Sequence, residues 1–314
     1  MGKILFLQFE VTGTRAFIDD PTISSMEIVS PILTPFNSDG TINKEALKQH
    51  ATNLLNKGVD LIFLNGTTGL GPALSKEEKK ENLRVLSDLS NKIIFQVGDL
   101  NLNNVIELIK FASDYDLRAI ASYSPYYFPR LPEKWLIKYF QIIASQSRHP
   151  VYLYNYPSAT GYDISAKLLS KFGLELAGVK DTNQDLAHSM EFKTTFPKMK
   201  VYNGSDTLAF YSLLSLDGTV ASMSNCLPTV FKEMKEAVAR GDARKAMTFQ
   251  KLITSLVEMA RKYGQLGSLY VLTEITQGYK VGGPRPPIFP LDETESKDLR
   301  TEVENFLKGL GVST

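Results

Sequence analysis

Ser30-Pro31-Ile32-Leu33-Thr34-Pro35-Phe36 ends the first apolar run of the chain, and its reading decides the fold. A doubly wound open sheet would want a glycine-rich loop here, with free backbone N–H groups to cradle a pyrophosphate. Pro31 and Pro35 have no N–H to give. Outward from this stretch the chain alternates short apolar runs with amphipathic segments. Strands are expected at 28–33, 61–64, 93–97, 119–122, 151–154, 177–180, 200–203 and 218–222. The first helix runs over 44–57, capped by Asn43 and closed by Gly58, and the next opens with a Ser75/Glu78 capping box. Further helices are expected over 105–113, 135–144, 166–172, 186–196, 208–216 and 229–240. Eight strand–helix units over roughly 215 residues match a closed (β/α)₈ TIM barrel.

Beyond Gly241 only helical patterns remain, at 246–263, 269–277 and 296–307. Gly282-Gly283-Pro284-Arg285-Pro286-Pro287 is a stiff connector, read as a wrapping segment rather than as a peptide ligand. The expected organisation is a leader over 1–25, a catalytic barrel over 26–241 and a C-terminal helical extension over 242–314. The leader's brief apolar run, Ile4-Leu5-Phe6-Leu7, is short for a signal segment, and Met26 is the alternative translation start.

Composition narrows the function. The 314 residues are 43% hydrophobic, enough for a large buried core, and the net charge of +1 is scattered. No basic footprint for nucleic acid or an anionic membrane is present, and no apolar run approaches the ~18 residues of a membrane span. Cys226 is the only cysteine, which rules out internal disulfides and a thiolate-rich metal site and fits a reducing cytoplasm. His50, His149 and His188 have no metal-ligand spacing, and no Gly-x-Ser-x-Gly elbow marks a serine hydrolase.

In such a barrel the site lies at the C-terminal ends of the strands. The residues there are rich in hydroxyls: Thr67 and Thr68 after strand two, Ser124, Tyr126 and Tyr127 after strand four, and Tyr154 and Tyr156 after strand five. Lys180 and Thr182 follow strand six, Gly204 and Asp206 strand seven, and Ser222 strand eight. In Ala177-Gly178-Val179-Lys180-Asp181-Thr182, alternation points Lys180 inward and Asp181 to the opposite face. An ammonium in a barrel interior is poorly solvated, so its pKa falls and the neutral amine can attack a ketone to form an imine. Tyr154 suits the proton transfers if a neighbour lowers its pKa from about 10, with Thr67 as relay and Tyr127 completing it. The Gly66-Thr67-Thr68-Gly69 backbone can receive a small carboxylate, although alone it also reads as a plain turn.

With these residues in hand, the chain resembles the dihydrodipicolinate synthase and N-acetylneuraminate lyase superfamily of class I barrels, and within it the archaeal 2-keto-3-deoxygluconate aldolases. The likeness is carried by Pro31 to Phe36, Asn65-Gly66-Thr67-Thr68-Gly69-Leu70-Gly71-Pro72, Ser124 to Arg130, Tyr154-Asn155-Tyr156-Pro157, Gly178 to Thr182 and Pro284 to Pro290. It implies a Schiff base between Lys180 and pyruvate, Tyr154 as acid/base, and no metal or other cofactor. It implies that Thr67 and Thr68 hold the pyruvate carboxylate beside Pro31, and that Tyr127 is donated across a tight dimer interface. Thr182, Gly204, Asp206 and Ser222 match positions that meet the sugar-acid chain. Arg130, Tyr156 and Arg261 match a group that holds a terminal phosphate, with Arg261 reaching in from the extension. The partners implied are pyruvate, glyceraldehyde or its phosphate, in a cytoplasmic homotetramer serving a modified Entner-Doudoroff pathway. Ala159 stands where the synthases carry an arginine for the aldehyde's carboxylate, and Leu70 where they carry a glutamate. That disfavours a dihydrodipicolinate synthase. A dihydrodipicolinate synthase, a neuraminate lyase and a keto-deoxy sugar-acid dehydratase stay as alternative readings, with a catalytically silent binding barrel as the remote one.

Overall fold

Parallel strands covered on both faces are nearly continuous apolar runs, because neither face meets water. The computed structural model describes residues 26–128 and 131–310 and shows this arrangement. The strands are β1 (Glu27–Pro31), β2 (Leu61–Leu64), β3 (Ile93–Gln96), β4 (Ala119–Tyr123), β5 (Val151–Asn155), β6 (Gly178–Asp181), β7 (Lys200–Asn203) and β8 (Gly218–Val220). They close in sequence order into one barrel, every neighbour parallel. Between and after them run helices α1 (Lys44–Asn56), α2 (Lys76–Val85), α3 (Leu102–Ala112), α4 (Glu133–Gln146), α5 (Pro157–Thr160), α6 (Ala166–Leu169), α7 (Leu186–Thr195), α8 (Ala209–Ser215) and α9 (Pro228–Ala239). Then α10 (Ala243–Lys262), α11 (Gln265–Gln277) and α12 (Glu293–Gly309) pack around the same core.

Local chemistry sets the element ends. Asn43 caps α1, and Ser75 and Glu78 form the reciprocal capping box of α2. The connector 282–287 does wrap: Phe36 and Gly283 form an antiparallel bridge. Arg285 stacks 4.5 Å over the Phe36 ring and binds Glu78 and the Gly40 and Ala73 carbonyls.

Several boundaries differ from the pattern. β1 stops at Pro31 and β8 at Val220, although buried apolar residues continue past both. The reason is Asn225, delivered by a 3₁₀ turn over Ser222–Asn225. Its Nδ2 donates to the Pro31 and Ser222 carbonyls and its Oδ1 accepts from Leu33 N–H, so side-chain bonds replace the ladder there. α5 is a single turn started by Pro157 and went unforeseen. α11 starts at Gln265, four residues before the expected start, because Gly264 at φ 88° breaks the chain with no side-chain cap to signal it. Leader residues 1–25 and Arg130 lie outside the described residues.

The barrel interior has its own core, which includes Phe63, Tyr123, Tyr152, Tyr154 and Tyr202. Tyr154 is paired with Lys180 across the β5–β6 ladder, and Asn155 with Asp181. Alternation sends the first pair inward and the second outward. Outside, Asp181 is fully buried and accepts from Asn155 Nδ2 at 2.9 Å and Ser189 Oγ at 2.6 Å. His188 Nδ1 lies 2.9 Å from it. These bonds lock the register that sets Tyr154 beside Lys180.

Candidate active site

At the C-terminal end of the barrel a cleft of about 400 Å³ opens over Lys180. Pro31, Thr67, Thr68, Tyr154, Tyr156, Lys180, Thr182, Gly204, Asp206, Ser222 and Arg261 all line it. The lysine is 5% exposed, and its Nζ sits 3.9 Å from the centre of the Tyr154 ring and 4.5 Å from that of Phe63. No carboxylate among the described residues lies within ion-pair distance of it. Burial therefore lowers its pKa to about 7, against the upward pull of the Asp206 charge. At that value about half the amines are neutral at pH 7, against roughly one in 3,000 for an ordinary lysine.

Tyr154 is fully enclosed. Its hydroxyl is 2.9 Å from Thr67 Oγ1, and its ring stacks on Tyr156 at 6.0 Å and meets Phe63 edge-on. Its pKa is raised to about 12, so the condition set from the sequence, a neighbour that lowers it, is not met. Burial outweighs the Thr67 bond. Thr182 also opposes the rise, from a separation that leaves its buried Oγ1 without a formal hydrogen-bond partner. Gly204 faces that hydroxyl so closely that a Cβ would overlap it.

The Thr67–Thr68 corner is held by unusual backbone. Asn65 at φ 62° and Leu70 at φ 57° adopt left-handed conformations that cost side chains energy. Asn65 is anchored by bonds to the Lys79 carbonyl and Asn82. A Cβ on Gly69 would lie 2.6 Å from the Ile32 carbonyl, and one on Gly71 would overlap that of Asn65. These glycines let the turn fold back onto β1.

Asp206 begins a 3₁₀ turn after β7 and is buried. Its Oδ2 accepts from Ser222 Oγ at 2.6 Å and its Oδ1 from Met223 N–H at 2.8 Å. Burial raises its pKa, opposed by those bonds and by the Arg261 and Lys180 charges. Arg261 reaches the cleft from the last turn of α10. Gln265, Leu266, Asn183 and Gln184 line it too and were not singled out from the sequence. Gln265 opens α11 just beyond the Gly264 break, so no helix-face spacing in the sequence links it to Arg261 on α10.

Tyr127 is not brought into the cleft of its own chain. It stands 79% exposed at φ 70°, its ring edge-on to exposed Phe128. Among the described residues no group of three or more His, Cys, Asp or Glu could hold a metal ion. None of the described helices is long and apolar enough to cross a membrane.

Comparison with known proteins gives a consistent set of likenesses. Residues 24–306 match the dihydrodipicolinate synthetase family. The chain is 57% identical over 283 residues to the 2-dehydro-3-deoxy-phosphogluconate/2-dehydro-3-deoxy-6-phosphogalactonate aldolase of Sulfurisphaera tokodaii, covering 90% of this chain and 98% of the relative. It is 44% identical over 288 residues to the 2-dehydro-3-deoxy-D-gluconate/2-dehydro-3-deoxy-phosphogluconate aldolase of Thermoproteus tenax, covering 91% and 94%. A solved structure of the Sulfolobus sulfataricus 2-keto-3-deoxygluconate aldolase in complex with D-KDPG superposes with a TM-score of 0.88 at 50% identity, covering 90% of this chain and 97% of that one.

Proposed function

The chain belongs to the dihydrodipicolinate synthetase family, and from that premise we propose that it is a class I aldolase cleaving 2-keto-3-deoxygluconate and its 6-phosphate to pyruvate and glyceraldehyde or glyceraldehyde 3-phosphate. The observation that carries the reading is Lys180: a buried amine, without a carboxylate partner, with its pKa near 7, at the floor of a polar cleft.

The neutral Lys180 amine attacks the C2 ketone, and the carbinolamine loses water to give an iminium. Tyr154, protonated at neutral pH, supplies the proton that leaves with that water. The C4 hydroxyl then gives its proton to the tyrosine oxygen, through the bond with Thr67, while the C3–C4 bond breaks and its electrons flow to the iminium nitrogen. The aldehyde departs, the enamine is protonated at C3, and water releases pyruvate. Thr67 and Thr68 hold the keto-acid carboxylate beside Pro31. Tyr156, Thr182, Gly204, Asp206 and Ser222 receive the hydroxyl-bearing chain, and Arg261, with Tyr156 and Arg130, its terminal phosphate. The reaction needs no cofactor beyond the covalent imine. We assign Tyr127 to a neighbouring chain's cleft in a cytoplasmic homotetramer; its exposure beside Phe128 supports this.

Pyruvate release from 2-keto-3-deoxygluconate and its 6-phosphate is the expected activity. Faster condensation of pyruvate with aspartate semialdehyde or N-acetylmannosamine than with glyceraldehyde would overturn the substrate assignment.

A further inference from the structure

Two opposite charges line the cleft without touching. Arg261 and Asp206 share its wall, and no nitrogen of the first lies within ion-pair distance of an oxygen of the second. Asp206 cannot move far: Ser222 Oγ and Met223 N–H hold its carboxylate, and its carbonyl accepts from Gln250 Nε2 at 3.0 Å. Arg261 is the partner with room to move, a long exposed side chain on the last turn of α10. A guanidinium facing a carboxylate in a partly desolvated cleft would ordinarily close into a forked ion pair.

Gln265 occupies the gap. Its Oε1 accepts from Arg261 Nε at 3.4 Å, while its Nε2 donates to Asp206 Oδ2 at 3.3 Å and Ser222 Oγ at 3.4 Å. A carboxamide is neutral, with an acceptor at one end and a donor at the other, so it satisfies both charges at once. All these bonds are long, so a ligand group can replace any of them at little loss. We propose that Gln265 is a positioning residue that keeps Arg261 from collapsing onto Asp206, and that it thereby sets the preference for substrates ending in a phosphate ester over those ending in a free hydroxyl. A direct ion pair would remove both groups from substrate, the guanidinium from the anionic terminus and the carboxylate from the hydroxyls. The inference rests on the aldolase reading above and adds to it the residue that governs the choice of chain terminus.

The test is condensation of pyruvate with D-glyceraldehyde and with D-glyceraldehyde 3-phosphate, using wild type, Gln265→Ala, Gln265→Met, Arg261→Ala and Gln265→Ala/Arg261→Ala. The expected result is a drop of roughly five- to tenfold in the phosphorylated-to-free ratio of kcat/KM for Gln265→Ala, carried by KM. Gln265→Met, which keeps the volume, should behave alike. In the Arg261→Ala background the glutamine substitution should leave the ratio where the arginine substitution alone puts it. A ratio that stays unchanged or rises in Gln265→Ala and Gln265→Met, or effects that add in the double variant, would overturn the separator role. Borohydride trapping of pyruvate separates the two readings: no trapping in wild type overturns the aldolase reading, while trapping with an unmoved ratio overturns only the role of Gln265.

Discussion

The two ends of the barrel hold similar residues and do different things with them. At the N-terminal end the Tyr152 and Tyr202 rings stack at 6.2 Å, and Tyr202 donates to Glu27. Arg118 lies 3.3 Å from that carboxylate and Lys200 4.0 Å, with Lys200 also 3.8 Å from Asp217. Each of these charges has an opposite partner. At the C-terminal end, Tyr154 and Lys180 share the same interior, yet the amine faces aromatic rings and no carboxylate is close enough to pair. Pairing makes the lower end a structural seal. On the proposed reading the unpaired amine at the upper end is the source of reactivity, because desolvation without a counter-charge is what frees its lone pair.

Substitutions can break this contrast. The largest effect is expected for Lys180→Met, which should abolish pyruvate adducts while stabilising the fold. The sign follows from linkage: with the folded pKa near 7 and the unfolded value near 10.5, the native state resists protonation. The penalty is full below pH 7 and fades as pH rises to 10.5. The gain in Tm of Lys180→Met over wild type should therefore shrink over that window, which melting curves at several pH values would check. A lower Tm at pH 6 would contradict it.

Tyr154→Phe keeps the ring packing and removes the phenol, so kcat should fall about 10²- to 10⁴-fold with the melting temperature nearly unchanged. Thr67→Val removes the hydroxyl that bonds Tyr154 and, on the proposed reading, meets the keto-acid carboxylate, and should cost about three- to tenfold in kcat/KM. Asp206→Asn sharpens the contrast differently. It removes the one carboxylate whose charge holds the Lys180 pKa up, so the pH midpoint of pyruvate trapping should move below that of wild type. At the lower end, Glu27→Gln should leave trapping unaltered and cost about 1 kcal/mol of stability, since its cationic partners keep some solvent. Chemical denaturation measures that loss.

Much of this was legible in the sequence where one physical rule acts alone. β2 and β7 have the expected bounds because strictly apolar or alternating runs end at turn residues. Lys180, Tyr154, Thr67 and Thr68 could be placed together because barrel strands deliver their C-terminal residues to one face. What the chain order hides is side-chain substitution for backbone pairing, as at Asn225, and contacts across a helix break, as at Gln265. The direction of the Tyr154 shift was also hidden, since it depends on how completely the phenol is enclosed.

The central claim is that a desolvated, unpaired Lys180 does the chemistry. Its most direct test is the pH dependence of pyruvate trapping by borohydride, with the adduct located by peptide mass spectrometry. The account predicts a single adduct, on Lys180, whose formation rises with pH to a midpoint near 7 and then levels off. An adduct on another lysine, none at all on folded protein, or a midpoint near 10 would contradict it.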